Sequence, residues 1–412
     1  MLRSAGIGAN ILYNYITSEV SVHDKNADSG QALIKKAGVL AVIADTFKSY
    51  GGVLSKLSQL FSYDDPSSAS FTDCRPYSTD KTVDFLRRHS YVYKEHLTIN
   101  FEVHASGSIG LIFKAVKRDG ECVALKVQYV DLKNDIETDL GVISIVSKVL
   151  FGFADLKTAL QEVRAKVYEE LDYILEQKNH ECMYEMWMRG SKTDVNLESK
   201  YITIPRLYRS YSTDKIIVSE FIKGVQLCAF IDNEESQDVK NHIGLQLVKF
   251  IILSLLNGQY YSDIHPGNFL VVYADDADEL PTLAVTDYGC IHPVTDKIMD
   301  TIKTLYTSIN NKDRTLFDQM AREKGLVKQD ISTDGIDYLY EYMQIQLEPF
   351  TKETHEFTEE WNDRCKYKNT DKMTQWIIPP DMVYYYKLPY GLYFLLTKMQ
   401  ARGRYKELIN FQ

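Results

Sequence analysis

The sequence predicts an α+β fold in two lobes, a small β-rich lobe followed by a helical one, with a helical extension ahead of both. Three observations carry this expectation. Short β-rich runs concentrate in about Phe101–Phe221. Helical apolar spacing lies on both sides of them. The 412 residues, 45% of them hydrophobic, hold enough apolar material for two or three domains at roughly 150 residues each. The expected divisions are 1–95 for the extension and its linker, 96–222 for the small lobe with inserted helices, and 223–412 for the helical lobe.

In chain order, Leu54, Leu57 and Phe61 form an apolar stripe at steps of three and four, as on one helix face. The segment YDDPSSASFTDCRPYSTD, Tyr63 to Asp80, clusters Pro, Ser and Asp and reads as a linker. SIGLIFKAV and CVALKVQYV then flank KRDGE, whose Asp119-Gly120 marks an antiparallel hairpin. Helical spacing follows at Leu132, Ile136, Leu140 and Ile143, and again at Leu156, Leu160, Val163, Val167, Leu171 and Ile174. Strands return in YITIPRLYRSYSTDKIIVSEFI, limited by Pro205 and turned at Ser212-Thr213-Asp214. An apolar helix from Ile243 to Leu256 runs into the polar loop YYSDIHPGN, then FLVVYA, an acidic turn and LAVTDYG. From about Asp296 onward the pattern is helical and aromatic.

Charge and composition exclude several classes. Lys and Arg number 47 against 57 Asp and Glu, a net charge of −10, so no global basic footprint points to nucleic acid. The six cysteines stand at least 46 residues apart and form no C-x-x-C knuckle, which argues against a zinc site or a disulfide framework and for a reducing, intracellular compartment. The N-terminal segment shows neither a clear secretory signal nor an Arg-rich transit peptide. The best candidate membrane segment, Ile243 to Gly258, is shorter than about 18 residues and carries Lys249, so a buried core helix is expected there. The tail MVYYYKLPYGLYFLL is read as core packing ahead of a membrane surface.

The loop chemistry points to catalysis on phosphates. Asp263 and Asn268 are five residues apart in DIHPGN, where Pro and Gly prevent continuation of the preceding helix. Nineteen residues later Asp287 ends an apolar run in VTDYG, where a strand would present a carboxylate. An acid, an amide and a second acid are hard oxygen donors suited to Mg²⁺ shared with phosphates. Lys126 lies within the strand VALKV and needs an anionic partner there, for which Glu176 on a following helix is the candidate. Each residue has a plainer reading: Asp263 as a turn cap, Lys126 as a snorkelling surface lysine, Glu170, Asp172 and Glu176 as a solvated helix face, His265 as a structural hydrogen-bonding residue. For Asp263, Lys126 and the acidic helix residues the ordered set of strand lysine, helix glutamate, D-x-x-x-x-N and D-Y-G outweighs those readings, because it is the set of parts used in protein-kinase-like phosphoryl transfer, while for His265 the structural hydrogen bond is the reading kept. The histidine of H-R-D and the G-x-G-x-x-G loop are both missing.

Those absences narrow the family. KLSQLFS, ASGSIGLIFKA, VALKVQY, EELDYILEQKN, GQYYSDIHPGN and VTDYG together resemble the UbiB family of atypical protein-kinase-like proteins, also called ABC1 or aarF-domain kinases. The resemblance implies a bilobal protein-kinase-like fold binding ATP or ADP with Mg²⁺ between its lobes, and an N-terminal extension folded back over the cleft. It implies Lys126 at the nucleotide, Glu176 as its partner, Asp263 as the catalytic-loop acid, and Asn268 and Asp287 as metal ligands. The family's phosphate loop corresponds to Ala105, Ser106, Gly107 and Ser108, its K-x-G-Q motif to Lys56, Ser58 and Gln59, and its E-x-D motif to Glu170 and Asp172. Glu170 and Asp172 are expected on opposite sides of one helix, with Asp172 and Glu176 on a common face.

Three departures stand out: Ser58 for the family glycine, Gly107 in an alanine-rich loop, and D-I-H-P-G-N for D-P-H-P-G-N. Gly107 permits backbone angles an alanine would resist, so the nucleotide grip is open to differ from the family's usual one. The family's association with quinone and lipid metabolism implies a quinone, lipid or membrane-surface partner and an organellar or membrane-associated setting. Two rival readings are a nucleotide-binding scaffold or pseudokinase and a small-molecule kinase of the aminoglycoside or choline type. The phosphoryl acceptor and the oligomeric state are not legible in the sequence.

Overall fold

The computed structural model of the chain describes residues 79–137, 164, 168–189, 200–365 and 375–409, apart from a few single positions within them. They fall in two compact units: the first runs to Lys178 and takes back Arg206–Phe221, while the second holds Asn179–Pro205 and Ile222 onward. Lys56, Ser58 and Gln59, with all of the expected extension that precedes Thr79, lie outside the described residues.

The first unit begins with helix α1 (Thr79–His89) and strands β1 (Leu97–Ser106), β2 (Gly110–Lys117) and β3 (Cys122–Gln128). After β4 (Ile202–Thr203), which belongs to the second unit, β5 (Ile216–Glu220) completes an antiparallel sheet in the order β1-β2-β3-β5. The β2–β3 turn is the expected one: Gly120 has φ +89° and its N–H donates to the Lys117 carbonyl at 3.0 Å. Alternation sends Leu111, Phe113 and Ala115 of β2, Val123, Leu125 and Val127 of β3, and Ile216 and Val218 of β5 to one buried face with Leu86 of α1. Each large side chain among them contributes roughly 1.5–3 kcal/mol over an exposed one. The sheet starts at Leu97, earlier than the expected Phe101. The alternation already holds in LTINFEVHAS, and irregular register between Ile99 and Ala105 marks bulges that bend β1 just before the Ala105-Ser106 corner.

Helix α2 (Tyr173–Met188) corrects a sequence expectation. The spacing predicts one helix continuing through Leu171 and Ile174, with Glu170, Asp172 and Glu176 on it. Instead, the chain leaves the helical turn Tyr168–Glu170 at Leu171, and Asp172 caps a new helix. Its Oδ1 accepts from the Ile174 and Leu175 N–H groups at 3.1 and 2.9 Å, and its carbonyl accepts from Glu176 N–H at 2.9 Å. An aspartate satisfies these orphan donors better than a helix-interior position would use it.

In the second unit, helix α3 (Gln237–Leu256) forms the core. The apolar run predicts a start at Ile243. The polar turn before it is helical as well, because the Ser236 hydroxyl accepts from Val239 N–H at 3.4 Å. At 20 residues α3 is long and apolar enough to cross a membrane by length and composition, but 56% of its apolar window is packed inside the protein. It lies against the sheet β4-β9-β8-β6, made with β6 (Val225–Gln226), β8 (Phe269–Val272) and β9 (Thr282–Val285). β4 and β9 are parallel and the other pairs antiparallel. A separate ribbon joins β7 (Gln259–Tyr261) to β10 (Ile291–Pro293). Helices α4 (Asp296–Asn310), α5 (Arg314–Glu323) and α6 (Thr333–Gln346) pack Ile302, Leu305, Phe317, Met320, Ile336 and Leu339 into a second core.

The tyrosine-rich tail forms α7 (Val383–Lys398), and its Leu392, Tyr393, Leu395 and Leu396 are buried in the α3 core. Tyr393 donates its hydroxyl to the Gln346 carbonyl at 2.6 Å, which satisfies a polar atom that the stripe brings inside. This end of the tail packs as core, in keeping with the reading of its sequence.

Strands β11 (His355–Glu356) and β12 (Arg402–Gly403) pair beside this core and hold a buried histidine. His355 sits edge-on to Phe357 and Trp361, with Glu348 Oε1 3.7 Å from its Nδ1. Burial pulls its imidazole down to about 4, against the opposing pull of Glu348. An unfolded histidine titrates near 6.5, so the neutral buried ring contributes stability that is complete above that value. The contribution is lost as pH falls from about 6.5 towards 4, by up to about 3 kcal/mol. Melting curves across this range should show a shallower decline for His355→Gln than for wild type. Parallel declines would contradict the assignment.

Candidate functional site

In the first unit, the alternation that turns Val123, Leu125 and Val127 inward makes Lys126 project from the opposite face of β3. It stands level with Ile112 of β2 and Ile217 of β5. Lys126 Nζ lies 2.6 Å from Glu176 Oε1 and 5.4 Å from the centre of the Tyr173 ring. The two charged side chains are 16% and 4% exposed, so the pair is largely withdrawn from water. Asp172 fixes where α2 begins, and Glu176 follows one turn later, within reach of β3. Desolvating two charges offsets most of their attraction, which makes such a pair a weak source of stability. Glu170 is buried, and Asp172 is exposed and occupied in capping.

The corner after β1 carries Ala105, Ser106 and Gly107, while Ser108 lies outside the described residues. Gly107 N–H donates to the Gly110 carbonyl at 2.9 Å, and the Tyr129 hydroxyl reaches the Gly107 carbonyl at 3.2 Å and Ser106 Oγ at 3.0 Å. The freedom that Gly107 permits is not used here. Its φ lies outside the left-handed region, and an added Cβ would come no closer than 3.5 Å to the Gly110 oxygen, so alanine fits there.

The glycine this corner does require is Gly110, which sequence reasoning passed over. A Cβ on it would lie 2.4 Å from the Val127 carbonyl oxygen and 2.9 Å from the Tyr173 hydroxyl, beside the Lys126 strand. Gly110→Ala should therefore destabilise the protein by about 1–3 kcal/mol through overpacking. A melting temperature equal to that of wild type would contradict the close approach.

In the second unit the β8–β9 hairpin sets the loop geometry. Phe269 pairs with Val285, and the Asn268 carbonyl accepts from both the N–H (2.9 Å) and the hydroxyl (3.1 Å) of Thr286. Asn268 and Asp287 are thereby brought to the same end of one ribbon. The Asn268 amide donates to the Asp263 carbonyl at 2.9 Å and to Asp263 Oδ2 at 3.0 Å. Both partners are acceptors, so nitrogen must face Asp263, and Oδ1 is the acceptor atom of Asn268. Asp287 Oδ1 accepts from Gly289 N–H at 3.0 Å, a local turn that fixes its carboxylate. His265 accepts from Gly267 N–H through Nδ1 at 3.1 Å, a hydrogen bond within the loop.

The ribbon β7–β10 ties the two loops together: Ser262 N–H donates to the Cys290 carbonyl at 3.0 Å, and His292 Nε2 lies 3.1 Å from Ser262 Oγ. Tyr261, just before Ser262, is buried. Burial, and after it the carboxylates of Asp287 and Asp263, push its phenol well above the ordinary value. Both carboxylates thus act on one buried ring, although they are 24 positions apart in sequence.

The donor set fits a hard divalent cation. Asn268 Oδ1 and the Asp287 carboxylate are two oxygen donors at one ribbon end, and Mg²⁺ is commonly held by one or two protein carboxylates with phosphate oxygens and waters completing its shell. Among the described residues no three His, Cys, Asp or Glu side chains gather into a self-sufficient metal cluster.

The profile of the ABC1 atypical kinase-like domain matches residues 85–321, more than half of the chain. The chain belongs to the ABC1 atypical kinase-like family. Within it, the chain is 25% identical over 286 residues to the Arabidopsis thaliana protein named activity of BC1 complex kinase 7, chloroplastic, covering 66% of this chain and 38% of that one. It is 27% identical over 250 residues to AarF domain-containing kinase 1 of Drosophila melanogaster, covering 58% and 46%. The chain spans less than half the length of these curated relatives. Among solved structures, Rv3197 of Mycobacterium tuberculosis, determined as a complex with erythromycin, shares the fold with a TM-score of 0.65 at 20% identity, over 92% of this chain and 96% of that one. The ABC1 assignment makes this a kinase-type family and a kinase-like α+β fold.

Proposed function

We propose that the chain is an ABC1-type atypical kinase or ATPase that takes Mg–ATP as its substrate. The observation that carries this reading is the Lys126–Glu176 pair, 2.6 Å long and largely buried. A pair of this kind adds little stability, so its place on the outward face of a central strand is best explained by a ligand that needs an oriented cation. Lys126 would neutralise charge on the β- and γ-phosphates, with Glu176 and the Tyr173 ring fixing its direction. Asn268 and Asp287 would hold Mg²⁺, which supplies charge neutralisation on the phosphate oxygens when bound. Asp263, oriented by the Asn268 amide, would accept a hydrogen bond from the acceptor hydroxyl or from water and aim it at the phosphorus. Catalysis of this type is positioning plus charge stabilisation.

The chloroplastic names of relatives support an organellar setting, and the family resemblance supports a quinone or lipid connection, for the acceptor or for a membrane surface. The test incubates wild-type protein with ATP and follows ADP release, which should rise with Mg²⁺ and stop with a chelator. Saturable Mg–ATP binding with no ADP formed would replace this reading with a nucleotide-binding scaffold.

A further inference from the structure

Helix α7 meets the Asp263 loop at Gly391. An added Cβ there would lie 2.7 Å from the backbone oxygen of Ile264 and 3.0 Å from its Cβ. A contact this short to a backbone atom forces something to shift, and both sides are held. On the helix side, Leu392, Leu395 and Leu396 are buried in the α3 core, and Tyr393 is tied to Gln346 at 2.6 Å. On the loop side, His265 N–H closes on the Asp263 carbonyl at 2.9 Å, and the Asn268 amide holds the same carbonyl at 2.9 Å. Ile264 is the residue between Asp263 and His265, so a shift of its backbone passes directly to Asp263.

We propose that Gly391 is a positioning residue for Asp263: its missing side chain lets α7 act as a rigid backstop that holds Ile264, and through it the loop carboxylate, in place. This rests on the reading of Asp263 as the loop acid. It also gives Ile264, which departs from the proline of the family motif, a defined neighbour. A proline limits its own backbone angle, whereas isoleucine at this position is confined by the helix behind it.

The test compares Gly391→Ala with Gly244→Ala in the full chain. Gly244 on α3 is an equally tight site in the same core, where a Cβ would lie 2.8 Å from Ala401 Cβ and 3.2 Å from Leu396 Cδ2. Hydrogen exchange, read by mass spectrometry over Ser262–Asn268 without nucleotide, should become about tenfold faster in Gly391→Ala and stay at the wild-type rate in Gly244→Ala. In ATP turnover, Gly391→Ala should lower kcat about tenfold with KM for ATP within twofold, while Gly244→Ala lowers only the melting temperature. Unchanged exchange in Gly391→Ala, or an equal rise in both variants, overturns the proposal. Faster exchange in a protein whose wild type releases no ADP upholds the positioning and refutes phosphoryl transfer instead. If Gly391→Ala does not fold, the pair Gly391→Ala/Ile264→Gly removes the 3.0 Å side-chain contact, frees the loop backbone to yield at the remaining 2.7 Å contact, and should fold with fast loop exchange. Failure of that pair to fold, or slow exchange in it, also overturns the proposal.

Discussion

Lys126→Met is expected to cost about 3–5 kcal/mol of stability, because it removes the cation facing Glu176 in a nearly closed site. It should also abolish Mg–ATP binding, since the same ammonium is the one assigned to the phosphates. The informative comparison is the double variant Lys126→Met/Glu176→Leu. Replacing both partners of a buried pair by apolar groups of similar size is commonly neutral or stabilising by about 1–4 kcal/mol. Urea unfolding should therefore show the double variant recovering most or all of the lost stability, while ATP-induced thermal stabilisation stays absent. A double variant that recovers neither would mean the pair is structural. One that recovers ATP binding would mean the lysine does not meet the nucleotide.

Much of this arrangement is legible in the residues themselves. The Asp119-Gly120 turn, the alternation around Lys126 and the apolar runs on either side of the Asp263 and Asp287 loops are local signals, and each gives the expected element. The pairing of Lys126 with Glu176, 50 positions apart, follows from the demand of a strand lysine among apolar neighbours for an anion.

What is not legible depends on distant contacts or on competing local uses of one residue. Asp172 fits both a helix face and a helix cap, and only the break at Leu171 decides for the cap. The start of α3 at Gln237 is set by a serine cap under a polar turn that carries no apolar period. Gly107 looks conformationally special by its composition, whereas Gly110 and Gly391 are required by carbonyls that arrive from β3 and from the Asp263 loop. A close approach of this kind leaves no periodic trace in the sequence. The tyrosine tail is readable as core, but its contact with Ile264 is not.

The proposed role of Asp287 and Asn268 is to hold the Mg²⁺ of a bound nucleotide. Asp287→Asn keeps the size of the side chain and an oxygen to accept from Gly289 N–H, so the turn should survive while the negative charge is lost. Its direct measurement is calorimetric titration of ATP into wild type and Asp287→Asn, each with Mg²⁺ and with chelator. Wild type should bind ATP in a Mg²⁺-dependent way, and the variant should bind it more weakly, down to the level seen with chelator. Equal affinities for the two proteins in the presence of Mg²⁺ would contradict that role.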